Sequence, residues 1–345
     1  MTNAADDGQL AAARAGDGRA FDALTAPLRR PVLAHCYRML GSVADADDAV
    51  QETLVRAWAH LAAYEGRATL KSWLTSIATR VCLDALARRP ARRLPSLDGG
   101  ASADPSAPPH APVLDPVWID AMPDARWCDG DLDATESPEA TCTRRQSVAV
   151  AFLAAIQMLP ASQRAALLLA EVAGWRAAEV ADALGTSTAA VNSALQRARA
   201  TLDAGVPAWN RRALRPDSAA TDALGRYLRA WNADDPTALA ATLREDAVLA
   251  MPPSPAWYDG REAFVGFYAG FVLALPMRSR LVPAPSTNGA LALASYRSDP
   301  STPGVLHADG VHVLSLDEAG AVTGVMVFMD PAAVARHGLP ATMAG

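Results

Sequence analysis

A change of apolar rhythm near Pro216 divides this chain of 345 residues. Before it, apolar side chains recur at intervals of three and four, the spacing of one helical face; after it, short strand-like runs alternate with turn residues. Within the helical part, residues 95–143 hold eight prolines and ten carboxylates without sustained periodicity. Such a stretch buries too little apolar surface to form a core of its own. A single continuous core is therefore excluded, and the length allows two or three domains.

Hydrophobic residues make up 51% of the chain and charged residues 20%, ample material for globular cores. The longest apolar stretch, residues 148–156, falls well short of the ~20 residues of a membrane span, and the start MTNAADDGQL lacks the segments of a signal peptide. An intracellular protein is expected, with no membrane partner. Cys36, Cys82, Cys128 and Cys142 are widely spaced without a CxxC pair, which suits reduced thiols. The net charge of -6 conceals alternation: residues 1–95 sum to +3, 96–145 to -7, 146–215 to +3 and 216–345 to -5. Two basic blocks are thus available to an anionic partner.

The first block reads as helices. Residues 20–40 place Phe21, Leu24, Leu28, Val32, Leu33 and Cys36 on one face, and Gly41 ends the segment. Residues 45–58 turn Val50, Leu54, Ala57 and Trp58 inward and leave Asp45, Asp48, Glu52 and Arg56 as an outer ridge. Residues 69–89 bury Leu70, Trp73, Leu74, Ile77, Val81 and Leu86, then run into Arg88, Arg89, Arg92 and Arg93, a basic end suited to phosphates. Within the acidic stretch, the segment from Val117 to Trp127 is too aromatic for a passive tether and is expected to dock.

Residues 147–159 resume an apolar helix, Pro160 opens another, and helices over 163–172, 177–184 and 188–202 follow, with Gly185 as the left-handed turn and Thr186 or Ser187 as cap. This is a helix-turn-helix signature. The last helix buries Val191, Leu195 and Leu202 and leaves Asn192, Ser193, Gln196, Arg197 and Arg199 free to meet a ligand. At roughly 22 Å long it can lie in a major groove, and Asn, Gln and Arg can read base edges. Beyond Pro216, helices over 221–232, 236–243 and 261–273 mix with strands over 247–251, 277–282, 291–297, 304–316 and 322–329, the last two joined by the four-residue turn 317–320, which gives an α+β domain. GxGxxG, GxxxxGK[ST] and HExxH are absent, Val50 stands where a calcium loop needs glycine, and the six histidines lack ligand spacing. Neither metal nor cofactor is expected.

DADDAVQETLVRAW (45–58), GRATLKSWLTSIATRVCLDALARR (66–89) and the segment over 159–202 together resemble regions two and four of a sigma-70 family factor of the extracytoplasmic function group. The tail, with YLRAW, MPPSPAWYDGRE and VFMDP, resembles the SnoaL-like cone domain fused to one subgroup of these factors, and VWIDAMPD resembles a linker element of that subgroup. The resemblance covers nearly the whole chain. It implies a multidomain fold: two all-α domains, region two over 1–94 and a helix-turn-helix region four over 146–210, separated by an acidic linker over 95–145 and followed by an α+β cone over 217–338.

The implied function is a transcription initiation factor whose partners are core RNA polymerase and promoter DNA, with the cone as a fused regulatory module. A small ligand or an anti-sigma factor is a further candidate partner. Asp45, Asp48, Gln51, Glu52 and Arg56 would then bind core polymerase; Arg67, Lys71, Ser72, Arg80, Arg88 and Arg89 would face the -10 element; Thr188, Asn192, Ser193, Gln196 and Arg197 would read the -35 element. Exposed charges alone would read as ordinary solvated surface; the three blocks in register carry the assignment. Trp231, Met251, Trp257, Tyr258, His312 and Phe328 are candidate liners of a cone pocket, though a packed core uses the same residue types. Catalysis there would need a positioned acid or base such as His312, Asp246 or Asp330, and no enzyme activity is expected. The alternative is a one-component DNA-binding regulator with a ligand-sensing cone, which leaves residues 45–93 without a purpose.

Overall fold

The computed structural model describes residues 4–88, 92, 94, 101–113, 118–128, 149–205 and 218–345. The chain forms two compact units, Met1–Ala91 with Leu159–Thr201, and Arg92–Met158 with Leu202–Gly345.

In the first unit, α1 (Ala4–Arg14), α2 (Gly18–Thr25), α3 (Arg29–Leu40), α4 (Val43–His60) and α5 (Leu70–Leu86) follow one another. The expected single helix over 20–40 is split, because Pro27 stands in a 3-10 turn at Ala26–Leu28, where its missing N–H and its ring cannot continue α2. Asp17, Ser42 and Thr69 cap α2, α4 and α5, and Gly41 ends α3 at φ 70°. Helices α3, α4 and α5 pack on one another around Val32, Met39, Val50, Leu74 and Val81, with the free thiols of Cys36 and Cys82 inside. Burial and a hydrogen bond between the two raise the Cys82 thiol pKa well above its ordinary value.

Helix α6 (Val150–Gln157) belongs to the second unit. Then α7 (Ala161–Leu167), widened into a π turn over Leu168–Val172, α8 (Ala177–Leu184) and α9 (Thr188–Gly205) form the helix-turn-helix. Gly185 is left-handed at φ 64°, and of the two candidate caps it is Ser187 whose Oγ accepts the Ala190 N–H at 3.2 Å. Arg164 of α7 is buried and donates to the carbonyls of Met39 and Leu159, which ties α7 to α3.

The carboxy-terminal part of the second unit is α+β: α10 (Ser218–Asn232), α11 (Pro236–Ala240), β1 (Leu243–Ala250), β2 (Trp257–Asp259), α12 (Arg261–Phe267, continued by a π turn), β3 (Ser279–Thr287), β4 (Ala290–Ser298), β5 (Val305–Leu316), β6 (Val322–Phe328), α13 (Pro331–Arg336) and β7 (Thr342–Ala344). The strand order is β2-β1-β6-β5-β4-β3, with β7 on β5 and only β1 and β6 parallel. One face of the sheet packs on α10 and α12 through Tyr227, Trp231, Phe264, Tyr268, Leu281 and Val325. Asp317 closes the expected four-residue turn by accepting the Ala319 and Ala321 N–H groups.

The stretch between the helical blocks docks on this domain wherever it is described. Residues 101–113 lie along it through Ala103 N–H to the Trp257 carbonyl at 2.8 Å and Val113 N–H to the Pro253 carbonyl at 2.9 Å. The aromatic segment seats Ile119, Met122 and Trp127 in buried positions and caps the β3–β4 hairpin turn, where Met122 and Asn288 exchange two hydrogen bonds and Asp124 accepts from Gly289 N–H at 2.8 Å.

Candidate functional site

On α4 the outer face is Asp48, Gln51 and Glu52, all exposed, with Asp45 half-buried in the first turn. Arg56 donates to Glu52 at 2.7 Å and to Asp84 at 3.1 Å, bonds that raise its pKa and hold it across to α5. Trp58 departs from expectation. It is 39% exposed and only its edge meets Phe21, at 5.1 Å, because a residue four beyond Leu54 has already rotated toward the rim of the buried stripe. Val55, 63% exposed, lies beside it. Gln51, Glu52, Val55 and Trp58 therefore form one outward strip in which apolar surface adjoins charge, the composition of a protein-binding face. Reading Trp58 as core concealed the apolar half of this strip.

The second group lies on α5 and the loop before it. Arg67 is exposed and paired with Glu65 at 2.6 Å; Lys71 and Arg88 are exposed; Ser72 Oγ and Thr69 Oγ1 share a hydrogen bond at 2.9 Å; Arg89 lies outside the described residues. Arg67, Ser72, Trp73 and Arg80 line a cleft of about 580 Å3 whose far wall is Trp175, Glu179, Asp182 and Ala183 of the helix-turn-helix. Arg80 Nε donates to the Ala183 carbonyl at 3.1 Å. Trp73, expected inside, is only half-buried and rests against Tyr64 with ring centroids 4.9 Å apart.

On α9, Thr188, Asn192, Ser193, Gln196 and Arg197 are exposed while Val191, Leu195 and Ala198 are buried. Arg199 is engaged in an ion pair with Glu171. Leu202, expected inside, is only half-buried.

The carboxy-terminal domain encloses a cavity of about 230 Å3. Of the candidate liners, Trp231, Met251 and His312 border it; Trp257 is half-buried on β2, Tyr258 stacks on Phe267 at 4.5 Å in the core, and Phe328 is buried at the end of β6. Arg297 and Asp309, bonded to each other at 3.0 Å, also border it and had no signal in the linear sequence. Burial pushes the Asp309 carboxyl above its usual range, and burial together with nearby Arg297 lowers His312 to about 3, so that its imidazole is neutral. Asp246 is exposed and held by Arg244, and Asp330 caps α13 and pairs with Arg336 at 2.8 Å; neither borders the cavity.

Residues 24–92 match the model of Sigma-70 region 2, residues 149–202 that of Sigma-70, region 4, and residues 224–325 that of a SnoaL-like domain. The chain is 42% identical over 330 residues to the ECF RNA polymerase sigma factor SigG of Mycobacterium tuberculosis, covering 95% of this chain and 85% of that protein. It is 28% identical over 298 residues to SigJ of the same organism, covering 84% and 83%. The crystal structure of Mycobacterium tuberculosis SigJ shares the fold at a TM-score of 0.55 and 23% identity, covering 91% of this chain and 98% of that one. No helix among the described residues is long and apolar enough to cross a membrane. With both sigma regions and the fused third domain matched in order, the chain belongs to the extracytoplasmic function group of RNA polymerase sigma factors and is a transcription initiation factor carrying a SnoaL-like domain.

Proposed function

We propose that the chain works in the cytoplasm by binding core RNA polymerase through the α4 strip, with Asp48, Gln51, Glu52, Val55 and Trp58 as contacts and Asp45 and Arg56 setting its edges. Arg67, Lys71, Ser72, Arg80, Arg88 and Arg89 contact the -10 element, and Thr188, Asn192, Ser193, Gln196 and Arg197 read the -35 element. The functional division is residues 1–94, 95–145, 146–210 and 217–338. The observation that carries this reading is the two-sidedness of α9, with its candidate base-reading side chains exposed and its Val191, Leu195 and Ala198 side buried. In the cleft beside α5, Glu179 and Asp182 stand where phosphates would approach Arg67 and Arg80, so promoter engagement parts these walls.

The cone is a regulatory module, not a catalyst: Asp246 and Asp330 are committed to ion pairs, and His312 is held neutral with its Nδ1 unpartnered. An anti-sigma factor is compatible with the same exposed faces. The test is to add purified protein to core polymerase and measure promoter-specific transcription; a regulator of the alternative kind needs holoenzyme already formed, whereas a sigma factor does not. Arg197→Ala is expected to cost roughly 1–3 kcal/mol of promoter binding. Unchanged footprinting and transcription would remove Arg197 from the reading set.

A further inference from the structure

Region two and the helix-turn-helix of region four fold into one compact unit. A body of that size has a radius of gyration of about 14 Å. The promoter elements assigned to the two regions are, by their positions, about 25 base pairs apart, roughly 85 Å along a duplex that is stiff over such a length. One compact unit cannot touch both. The packing of region four on region two is therefore an arrangement that promoter binding must undo.

Two arginines hold that packing, one from each region. A helix leaves the carbonyls of its last turn without partners further along its own length, and its C-terminal end attracts cations. Arg164, on α7 of region four, is buried and donates to the carbonyl of Met39 in the last turn of α3, in region two. Arg80, on α5 of region two, donates through Nε at 3.1 Å to the carbonyl of Ala183 in the last turn of α8, in region four. The neighbouring carbonyls of α8 are served locally, Ala181 by the Thr186 N–H at 2.9 Å and Asp182 by the Gly185 N–H at 3.3 Å. Ala183 is served across the interface. Each region thus caps a helix of the other.

The exchange also masks a surface. With Arg80 turned to α8, the exposed Glu179 and Asp182 of that helix line the cleft opposite Arg67 and Ser72. We propose that Arg80 and Arg164 form a reciprocal latch that keeps the free factor closed, with the acidic edge of α8 laid over the -10 face, and that core polymerase binds the open form. The proposal rests on the assignment of Arg67 and Arg80 to the -10 element and deepens it. Closure weakens the apparent affinity for core polymerase in proportion to the fraction of chain that is open, so loosening the latch is a gain of function. A purely structural role for these contacts predicts no such gain.

The test uses full-length protein with Cys128→Ser and Cys142→Ser, and a fluorophore pair at Ala62→Cys and Ala200→Cys, exposed positions in regions two and four. Cys36 and Cys82 are buried from the reagent. Energy transfer is expected to be high in the free factor, and core polymerase to lengthen the separation by at least about 30 Å. Asp182→Arg is the decisive variant, because an arginine in the last turn suits α8 itself but repels Arg80. It is expected to raise the open fraction and to lower the apparent Kd for core polymerase, measured without DNA, about three- to tenfold. Ala178→Arg, exposed on the same helix outside the cleft, is expected to change neither. Arg80→Ala and Arg164→Met are each expected to open the free chain, the first with a loss of promoter-specific transcription. Equal energy transfer in the free and polymerase-bound factor, or an Asp182→Arg chain as closed and as weak for core polymerase as wild type, overturns the latch. Opening by Asp182→Arg but not by Arg164→Met overturns its reciprocal form. An Arg80→Ala chain that opens yet transcribes normally supports the latch and removes Arg80 from the -10 reading.

Discussion

The two units differ in how completely they satisfy their buried polar groups. In the first, His35 bonds Thr79 at 2.9 Å, Thr79 bonds on to the Thr75 carbonyl at 2.7 Å, Thr53 bonds the Ala49 carbonyl, and Arg164 holds two main-chain oxygens. In the second, Tyr227 Oη, Tyr258 Oη, Ser295 Oγ, His312 Nδ1 and Arg336 Nε are buried without partners, and these are all such atoms among the described residues. A satisfied interior fixes helices rigidly so that function can be carried on outward faces. An interior with open hydrogen-bonding capacity has chemistry left to offer inward.

The largest test of this contrast is Arg164→Met. Burial lowers this guanidinium to about 10, still charged at neutral pH, and its loss orphans the Met39 and Leu159 carbonyls. Urea unfolding of the first unit, followed by hydrogen exchange, should register a loss of about 2–4 kcal/mol; a loss under about 1 kcal/mol would break the contrast.

Acid comes next. His35 and His312 are each lowered to about 3, chiefly by burial, whereas the unfolded chain binds a proton near 6.5. Between those values the unfolded state holds more protons. Each histidine therefore leaves stability intact above about 6.5 and erodes it as pH falls toward 3, by roughly 3 kcal/mol near pH 4. His312→Phe should shrink that slope in the second unit and leave the part due to His337, which burial also lowers; an unchanged slope there would assign it to other groups.

The smallest effects are expected where an orphaned atom is simply deleted. Tyr258→Phe and Ser295→Ala should change the melting free energy by less than about 1 kcal/mol, or stabilise. The same kind of deletion in the first unit, Thr79→Val, removes the partner of His35 and should cost more. Equal costs would erase the distinction between the units.

Much of the scaffold was legible because it is local. Helix faces follow from three-to-four spacing, and capping residues and Gly41 mark ends that the backbone requires. Pro27 was a readable break inside residues 20–40 that periodicity overrode. Asn288-Gly289 was readable too: both residues take positive φ, 54° and 73°, as a two-residue hairpin turn demands. The short strands β2 and β7 carry too few residues to show alternation. What could not be read depends on long-range register. Asp309 faces the cavity only through the bulge against β4, and His110 reaches it only because a stretch without periodicity lies along the domain. The exposure of Trp58 depended on how far α4 rotates across its neighbours, which a helical wheel leaves open by a residue.

The seating of Ile119, Met122 and Trp127 on the β3–β4 hairpin has a practical corollary for anyone shortening this protein. A truncated chain ending before α10 would retain that aromatic segment and discard the surface it covers. Greasy side chains now shielded would face water, and poor solubility or promiscuous sticking could pass for a loss of control over transcription. Cleaner dissection would keep the tail and sever its grip by point changes at Asn288 or Asp124.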